Sequence, residues 1–188
     1  MKRTGVPVLL VLACVAACGG GPPSEQEIAR ARAQAEDGAA RLMETLFQEL
    51  VNALKAGPPE EALVVCGKRA QQLTRVIERE TGVMVRRTSL RSRNPLNAPD
   101  AYERRWLEQA AASPPTAAHA EVVQAADGGY QLRYLRPIRV AKLCTPCHGE
   151  ELTPAVRDAV QGQYPADRAT GYKPGDLRGA VSVSVPFD

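Results

Sequence analysis

The segment that most constrains this chain is CTPCH, Cys144 to His148. Its form, C-x-x-C-H, is the attachment pattern of c-type haem. Two thiols three residues apart can reach the two vinyl groups on one edge of a porphyrin, and the adjacent histidine then lies under the iron as its proximal ligand. We therefore expect one covalent haem c, joined by thioether bonds to Cys144 and Cys147 and ligated by His148. Because this group is flat and apolar, the fold must leave a slot for it beside the segment.

Three other kinds of site use a similar cysteine pair. A thioredoxin-like C-x-x-C follows a strand at the start of a helix in a βαβ unit, and the sequence predicts no such unit here. A zinc site needs a fourth ligand, which would have to be Cys66 or His119. A plain disulfide would not explain the histidine that follows it. Haem attachment requires export, for which the amino terminus gives independent evidence.

The chain begins MKRTGVPVLLVLACVAACGGG, with two basic residues and then an apolar run from Val6 to Ala17. That run is too short to span a bilayer and has the layout of a secretory signal peptide. VAAC followed by glycines resembles a bacterial lipobox, so residues 1–18 are predicted to be a lipoprotein signal with lipidation at Cys18. Cys14 is the weaker lipidation site, and an ordinary signal peptide without lipid is the alternative. The domain is thus expected at the periplasmic face, anchored by lipid to an inner or outer membrane that the sequence does not specify.

Composition restricts the function further. The chain has 24 basic side chains, or 22 once Lys2 and Arg3 leave with the signal, against 21 acidic ones, so the mature net charge is about +1. A nucleic-acid-binding protein needs a basic excess, which this chain lacks. Aromatic residues make up only 4% of the chain, so the core must be built from Leu, Val and Ala.

The mature chain is predicted to consist of a tether, residues 19–23, and a single domain, residues 24–188. Ser24 and Glu27 have the spacing of a capping box and start the first helix. Apolar residues at helical spacing continue this helix for about 33 residues, roughly 50 Å at 1.5 Å per residue. A helix of that length overhangs a small domain, so it could pack against a second copy of the chain in a homo-oligomer.

A second helix is predicted from about Pro59 to Thr81, ended by Gly82 as a C-cap. Its apolar stripe includes Cys66, which therefore faces inward. Shorter elements follow: a strand at Val83 to Arg87, a helix capped by Asp100 that runs to about Ala112, a hairpin from Glu121 around an Asp127–Gly129 turn, a short helix at Thr153, and a final strand RGAVSVSVP. Helices followed by a small antiparallel sheet make an α+β domain.

The second axial position at the iron has four candidate ligands: Cys66, His119, Met43 and Met84. His119 stands in a proline-rich approach to a strand, as a surface histidine would. Met43 lies beside the apolar stripe of the first helix as core filler, and Met84 alternates with two valines so that it faces away from the core. Cys66 has no disulfide partner once the other cysteines carry haem and lipid. The residues alone leave it open whether Cys66 is an iron ligand or a small buried hydrophobe.

Four arginines lie on the first predicted strand and in the loop after it: Arg86, Arg87, Arg91 and Arg93. Guanidinium binds carboxylate bidentately, so these side chains could contact the haem propionates. The alternative is a solvated polar loop.

Several segments together resemble a family of exported single-haem c-type proteins, long labelled a domain of unknown function. They are CTPCHGEE preceded by LRYLRPIRVAKL, RRTSLRSRNPLNAPDAYERRWLE, and the closing GYKPGDLRGAVSVSVP. The resemblance spans roughly residues 30 to 186 and implies a PAS-like α+β fold. It also implies that a helical cysteine ahead of the strand supplies a thiolate as the distal ligand. Cys66 matches that position, and Cys144, Cys147 and His148 match the thioether and proximal positions.

The expected function is a periplasm-facing c-type haem protein for redox or small-ligand sensing or for electron transfer. Its partner would be a redox protein or a small ligand, and no catalytic residue is assigned. A thiolate from Cys66 would favour ferric iron, and its release on reduction would make a redox-linked ligand switch. One alternative is a haem enzyme of peroxidase type, for which the sequence offers no clear distal histidine. The other is a haem-free binding module that is stabilised by zinc or by a disulfide.

Overall fold

Residues 21–187 are described by the computed structural model, so the predicted signal peptide and Cys18 lie outside the described residues. The first helix, α1, spans Glu25–Ala56. The predicted capping box is confirmed, because the Ser24 side chain accepts from the Glu27 amide while the Glu27 carboxylate accepts from the Ser24 amide at 2.7 Å. The 32-residue length agrees with the sequence prediction.

The predicted second helix is interrupted. It consists of α2, Pro59–Val64, then a π-helical segment, Val65–Arg69, and then α3, Ala70–Thr81. Apolar spacing over about six turns does not reveal one wide turn in the middle, so the prediction of a continuous helix missed it. The predicted C-cap is confirmed, since Gly82 has a φ of 72°, a left-handed conformation that favours glycine.

Four strands form one antiparallel sheet in the order β1-β4-β3-β2. They are β1, Met84–Thr88; β2, His119–Gln124; β3, Tyr130–Arg139; and β4, Leu177–Pro186. The hairpin lies where the sequence predicts it, with Gly128 at a φ of 89° in the turn. These elements confirm the predicted α+β class, with a small antiparallel sheet behind a long N-terminal helix.

The two faces of the sheet are covered by different helices. On one face the valines of β1 and β4 pack against α1, whose buried side is made of small residues and Leu42. On the other face α4, Ala101–Ala112, packs Leu107 against Leu135 and Ala180. Side chains alternate along a strand, so neighbouring residues of β1 contribute to opposite faces.

Two short helices complete the fold after β3. A 3₁₀ turn, Lys142–Cys144, leads directly into α5, Thr145–His148, and α6 follows at Pro154–Gln163. Thr153 caps α6 as predicted, accepting from the Val156 amide at 3.3 Å. None of the helices in the described residues is both long enough and apolar enough to cross a membrane.

Candidate functional site

A cavity of about 210 Å³ lies between the second half of α1, the π-helical segment, the end of β1 and the CTPCH segment. The wall formed by α1 is apolar: Met43, Leu46, Phe47, Leu50 and Leu54. The opposite walls carry cysteines, one histidine and arginines. An apolar slot with a few convergent polar groups is the usual form of a cofactor site.

Cys144, Cys147 and His148 all line this cavity, as the sequence predicts for one attachment segment. Both cysteines are half-buried, and burial raises the pKa of each thiol. Cys147 Sγ lies 3.6 Å from the Pro59 carbonyl oxygen, which ties the segment to the start of α2. Cys66, the third cysteine of the described residues, forms no disulfide with either of them.

The tautomer of His148 follows from its one hydrogen bond. Nδ1 lies 2.6 Å from the carbonyl oxygen of Ala169, which can only accept, so Nδ1 carries the proton and Nε2 keeps its lone pair. Burial, followed by the charges of Arg178 and Arg93, lowers the pKa of His148 to about 3. The imidazole is therefore neutral near pH 7 and can act as a metal ligand through Nε2.

Cys66 lines the same cavity from the π-helical segment. Single π turns inside α-helices occur frequently at functional sites. The next residue, Gly67, is buried under the Tyr164 side chain, and a Cβ at this position would overlap the Tyr164 hydroxyl. The geometry therefore brings all three described cysteines and His148 to one cavity, and Cys66 comes from an element separate from the CTPCH segment.

Two of the four predicted arginines line the cavity, Arg87 and Arg93. Arg93 is only 6% exposed; its Nε donates to Asp167 at 3.0 Å and its Nη2 donates to the Cys147 carbonyl at 2.6 Å. Its Nη1 is buried and has no hydrogen-bond partner in the described part of the chain. A buried unpaired donor is costly unless a ligand or water satisfies it.

Arg178 also lines the cavity, and the sequence analysis missed it. Its Nη1 donates to Ser89 Oγ at 2.8 Å and to the Arg91 carbonyl at 3.0 Å. Burial lowers the pKa of Arg178. No local signal marks this residue, because it lies 89 positions along the chain from Ser89, its partner at the site.

Arg86 and Arg91 do not line the cavity. Arg86 is on the α4 side of the sheet, where it donates to the carbonyls of Leu96 and Ala98 at 3.0 and 2.7 Å. Arg91 is bound to the carbonyls of Arg168 and Thr170, and its guanidinium stacks 4.4 Å from the Tyr172 ring centroid. The alternation along β1 and the fold of the loop separate these two residues from Arg87 and Arg93.

Of the other three candidate axial ligands, Met43 lines the cavity, and Met84 and His119 do not. Met84 is 60% exposed. His119 lies on β2 with its Nε2 3.6 Å from Glu121, and its ring stacks on Tyr102. Within residues 21–187, no group of three or more His, Cys, Asp or Glu side chains has the geometry to hold a metal ion.

The sequence model of the Tll0287-like family matches residues 24–186. The chain belongs to the Tll0287-like family. The resemblance identified from residues 30 to 186 is thereby confirmed, and it extends to residue 24.

A solved structure described as the crystal structure of the cyanobacterial heme-protein Tll0287 is similar to this fold. Its TM-score is 0.63 at 24% sequence identity, and the match covers 88% of this chain and 98% of that chain. At 24% identity, this similarity shows that the two proteins have the same fold. No curated protein matches the chain at a significant level.

Proposed function

We propose that this chain is a single-haem c-type protein for redox or small-ligand sensing or for electron transfer. The observation that carries the proposal is the state of His148, a neutral imidazole held through Nδ1 on the same cavity as three unpaired cysteine thiols. The family match adds support, because a solved structure of similar fold is described as a heme-protein.

The residues of the cavity fit such a group. Cys144 and Cys147 would hold it through thioether bonds, His148 would be the proximal ligand, and Cys66 the distal ligand. Arg93 and Arg178 are the suited partners for the propionates, because both are positively charged and the buried Nη1 of Arg93 needs an acceptor. The haem, when bound, would supply a one-electron redox centre.

As an iron ligand, Cys66 would connect the redox centre to the π-helical segment. An anionic sulfur ligand favours ferric over ferrous iron, so we expect a reduction potential below that of a cytochrome c with methionine and histidine ligands. Cys66 lies in a π turn between two α-helices, so its release on reduction would let that turn rearrange and would open the cavity to a small ligand. Such a redox-linked change suits a sensor.

Export and lipid anchoring belong to the same proposal. Haem attachment of this type needs an oxidising, exported setting, and a lipid on Cys18 would hold the domain at a membrane face without a transmembrane helix. The mature protein should begin at Cys18 and carry an acyl mass there. A mature terminus beyond Gly19, or an unmodified Cys18, would contradict the lipid anchor.

The absorption spectrum of the protein made together with haem-maturation machinery tests the function. We expect a Soret band and a low-spin ferric spectrum, with the haem resisting acid-acetone extraction. A high-spin ferric spectrum would favour an enzyme of peroxidase type with an open iron site. Absence of a Soret band would leave only a zinc or disulfide module, and complete extraction of the haem would contradict the thioether bonds.

A further inference from the structure

Arg87 lines the cavity and is hydrogen-bonded to the backbone of Cys66. It is the fourth residue of β1 and pairs with Val181 of β4, on the face of the sheet that packs against α1. From there its Nη2 donates to the carbonyl oxygen of Cys66 at 3.1 Å. The strand thus holds the π-helical segment at the residue whose sulfur faces the cavity.

The charge of Arg87 has no carboxylate partner. Within the described residues, no Asp or Glu lies within ion-pair distance of its guanidinium, whereas its strand neighbour Arg86 pairs with Glu103 at 3.3 Å. Burial lowers the pKa of Arg87, and the groups that oppose this effect are Cys66 and Tyr164. A largely desolvated cation without an anion is costly, so its hydrogen bond to the Cys66 backbone at the cavity wall calls for an explanation.

We propose that Arg87 is a positioning residue for Cys66, which fixes the π turn by its hydrogen bond and stabilises negative charge on the sulfur and iron by its own charge. This inference rests on the proposed function. The assignment concerns the couple in which Cys66 stays bound in both oxidation states, before any release of the sulfur as a neutral thiol. In that couple, reduction by a one-electron donor adds one negative charge to the site near Arg87. The guanidinium therefore stabilises the reduced protein more than the oxidised one, and it offsets part of the preference of a thiolate for ferric iron.

Replacement of Arg87 in the haem-loaded protein tests this assignment. Arg87→Gln should lower the midpoint potential by about 59 mV, which corresponds to a tenfold shift of the ferric-to-ferrous ratio for one electron. Arg87→Lys keeps the charge and should restore most of the shift. Arg86→Gln is the matched control, because it removes the neighbouring arginine on the opposite face and should leave the potential unchanged.

The same measurement of the midpoint potential in a Cys66→Ala background separates the effect of Arg87 on the sulfur from its effect on the iron. If Arg87 acts through Cys66, Arg87→Gln should shift the potential clearly less when the sulfur is absent. An equal shift in both backgrounds would mean that the charge acts on the iron alone and would overturn the assignment. An Arg87→Gln potential equal to that of the wild type, or an Arg87→Lys potential equal to that of Arg87→Gln, would overturn it as well.

Failure of this inference is distinguishable from failure of the proposed function. If Cys66→Ala by itself leaves the ferric spectrum unaltered, Cys66 is not a ligand and the proposed ligation fails. If Cys66→Ala changes the spectrum but Arg87→Gln leaves the potential in place, the ligation stands and only the role of Arg87 is wrong. Circular dichroism of each variant confirms that the compared proteins are folded.

Discussion

Arg86 and Arg87 are neighbours on β1, yet their guanidinium groups lie on opposite faces of the sheet and in opposite kinds of surroundings. On the α4 face, Arg86 and Arg133 meet Glu103 and Asp100, so two cations face two carboxylates. On the cavity face, Arg87, Arg93 and Arg178 have only Asp167 among them in the described residues. Three cysteines and a neutral histidine also line this space.

The difference is one of charge balance, because buried polar atoms without hydrogen bonds within residues 21–187 occur on both faces. They include Arg93 Nη1 on the cavity face, and Glu103 Oε1, Arg133 Nε and the Tyr102 hydroxyl on the α4 face. The α4 face balances its own charge, as expected of a structural network that packs a helix onto a sheet. In the described residues, the cavity face leaves positive charge without enough carboxylates to balance it, and an anionic ligand would supply the missing negative charge. The comparison therefore predicts that changes on the cavity face alter haem and redox properties, and that changes on the α4 face alter stability.

The largest effect should follow from removal of the attachment cysteines. A Cys144→Ser/Cys147→Ser variant should carry no haem through denaturing electrophoresis, because no thioether bond can form. Cys66→Ser is the control and should keep covalent haem, since Cys66 is outside the attachment segment. Retention of covalent haem by the double variant would show that the cavity holds its group in another way.

Loss of Glu103 should be the strongest change on the α4 face. This carboxylate is 0% exposed and faces Arg86 and Arg133, so Glu103→Ala should lower the free energy of unfolding by about 3 kcal/mol in chemical denaturation. Glu108→Ala, an exposed position on the same helix, should stay within about 0.5 kcal/mol of the wild type. An altered haem spectrum in Glu103→Ala would contradict the prediction that the α4 face affects stability but not the haem site.

In the haem-free protein, acidification should weaken the fold through His148. Its folded pKa of about 3 is below the ordinary value of 6.5, so between these values the unfolded chain binds a proton that the folded chain does not. The free energy of unfolding should therefore fall as the pH falls through this window, by up to about 1.4 kcal/mol per pH unit from this group. The chain has two histidines, and His119→Gln should leave the slope between pH 6.5 and 5 in place. Loss of the slope in that variant would assign it to His119.

The smallest effect concerns the glycine beside Cys66. Gly67→Ala should cost about 1 kcal/mol in denaturation, because the new Cβ overlaps the Tyr164 hydroxyl and forces the ring or the π turn to move. Gly162→Ala in α6 is the matched control, since it meets no atom within 4 Å and should stabilise by about 0.5 to 1 kcal/mol. Equal effects at the two glycines would show that the π turn adapts freely.

Local chemistry in the sequence was enough to predict the helix starts and the C-cap. Ser24 and Asp100 cap helices through contacts three residues away. The π turn at Cys66 could not be predicted, because one extra residue in a turn leaves the apolar spacing nearly unchanged.

Long-range pairing accounts for the rest of what the sequence did not reveal. Arg178 reaches Ser89 across 89 positions of the chain, and the Ala169 carbonyl that orients His148 comes from a loop 21 residues later. Arg86 and Arg87 are a different case, since strand alternation does assign them to opposite faces once β1 is recognised. Their shared guanidinium chemistry predicts one role for both, and the sheet separates them.

The ferric absorption spectrum of Cys66→Ala tests the central claim most directly, that the cavity face joins Cys66 to the CTPCH segment through one haem. The account predicts a change from low-spin to high-spin bands, or to the bands of a substitute ligand such as Met43, which lines the same cavity. Val64→Ala, two residues earlier and 52% exposed, should keep the wild-type spectrum. A Cys66→Ala spectrum identical to that of the wild type would contradict the account.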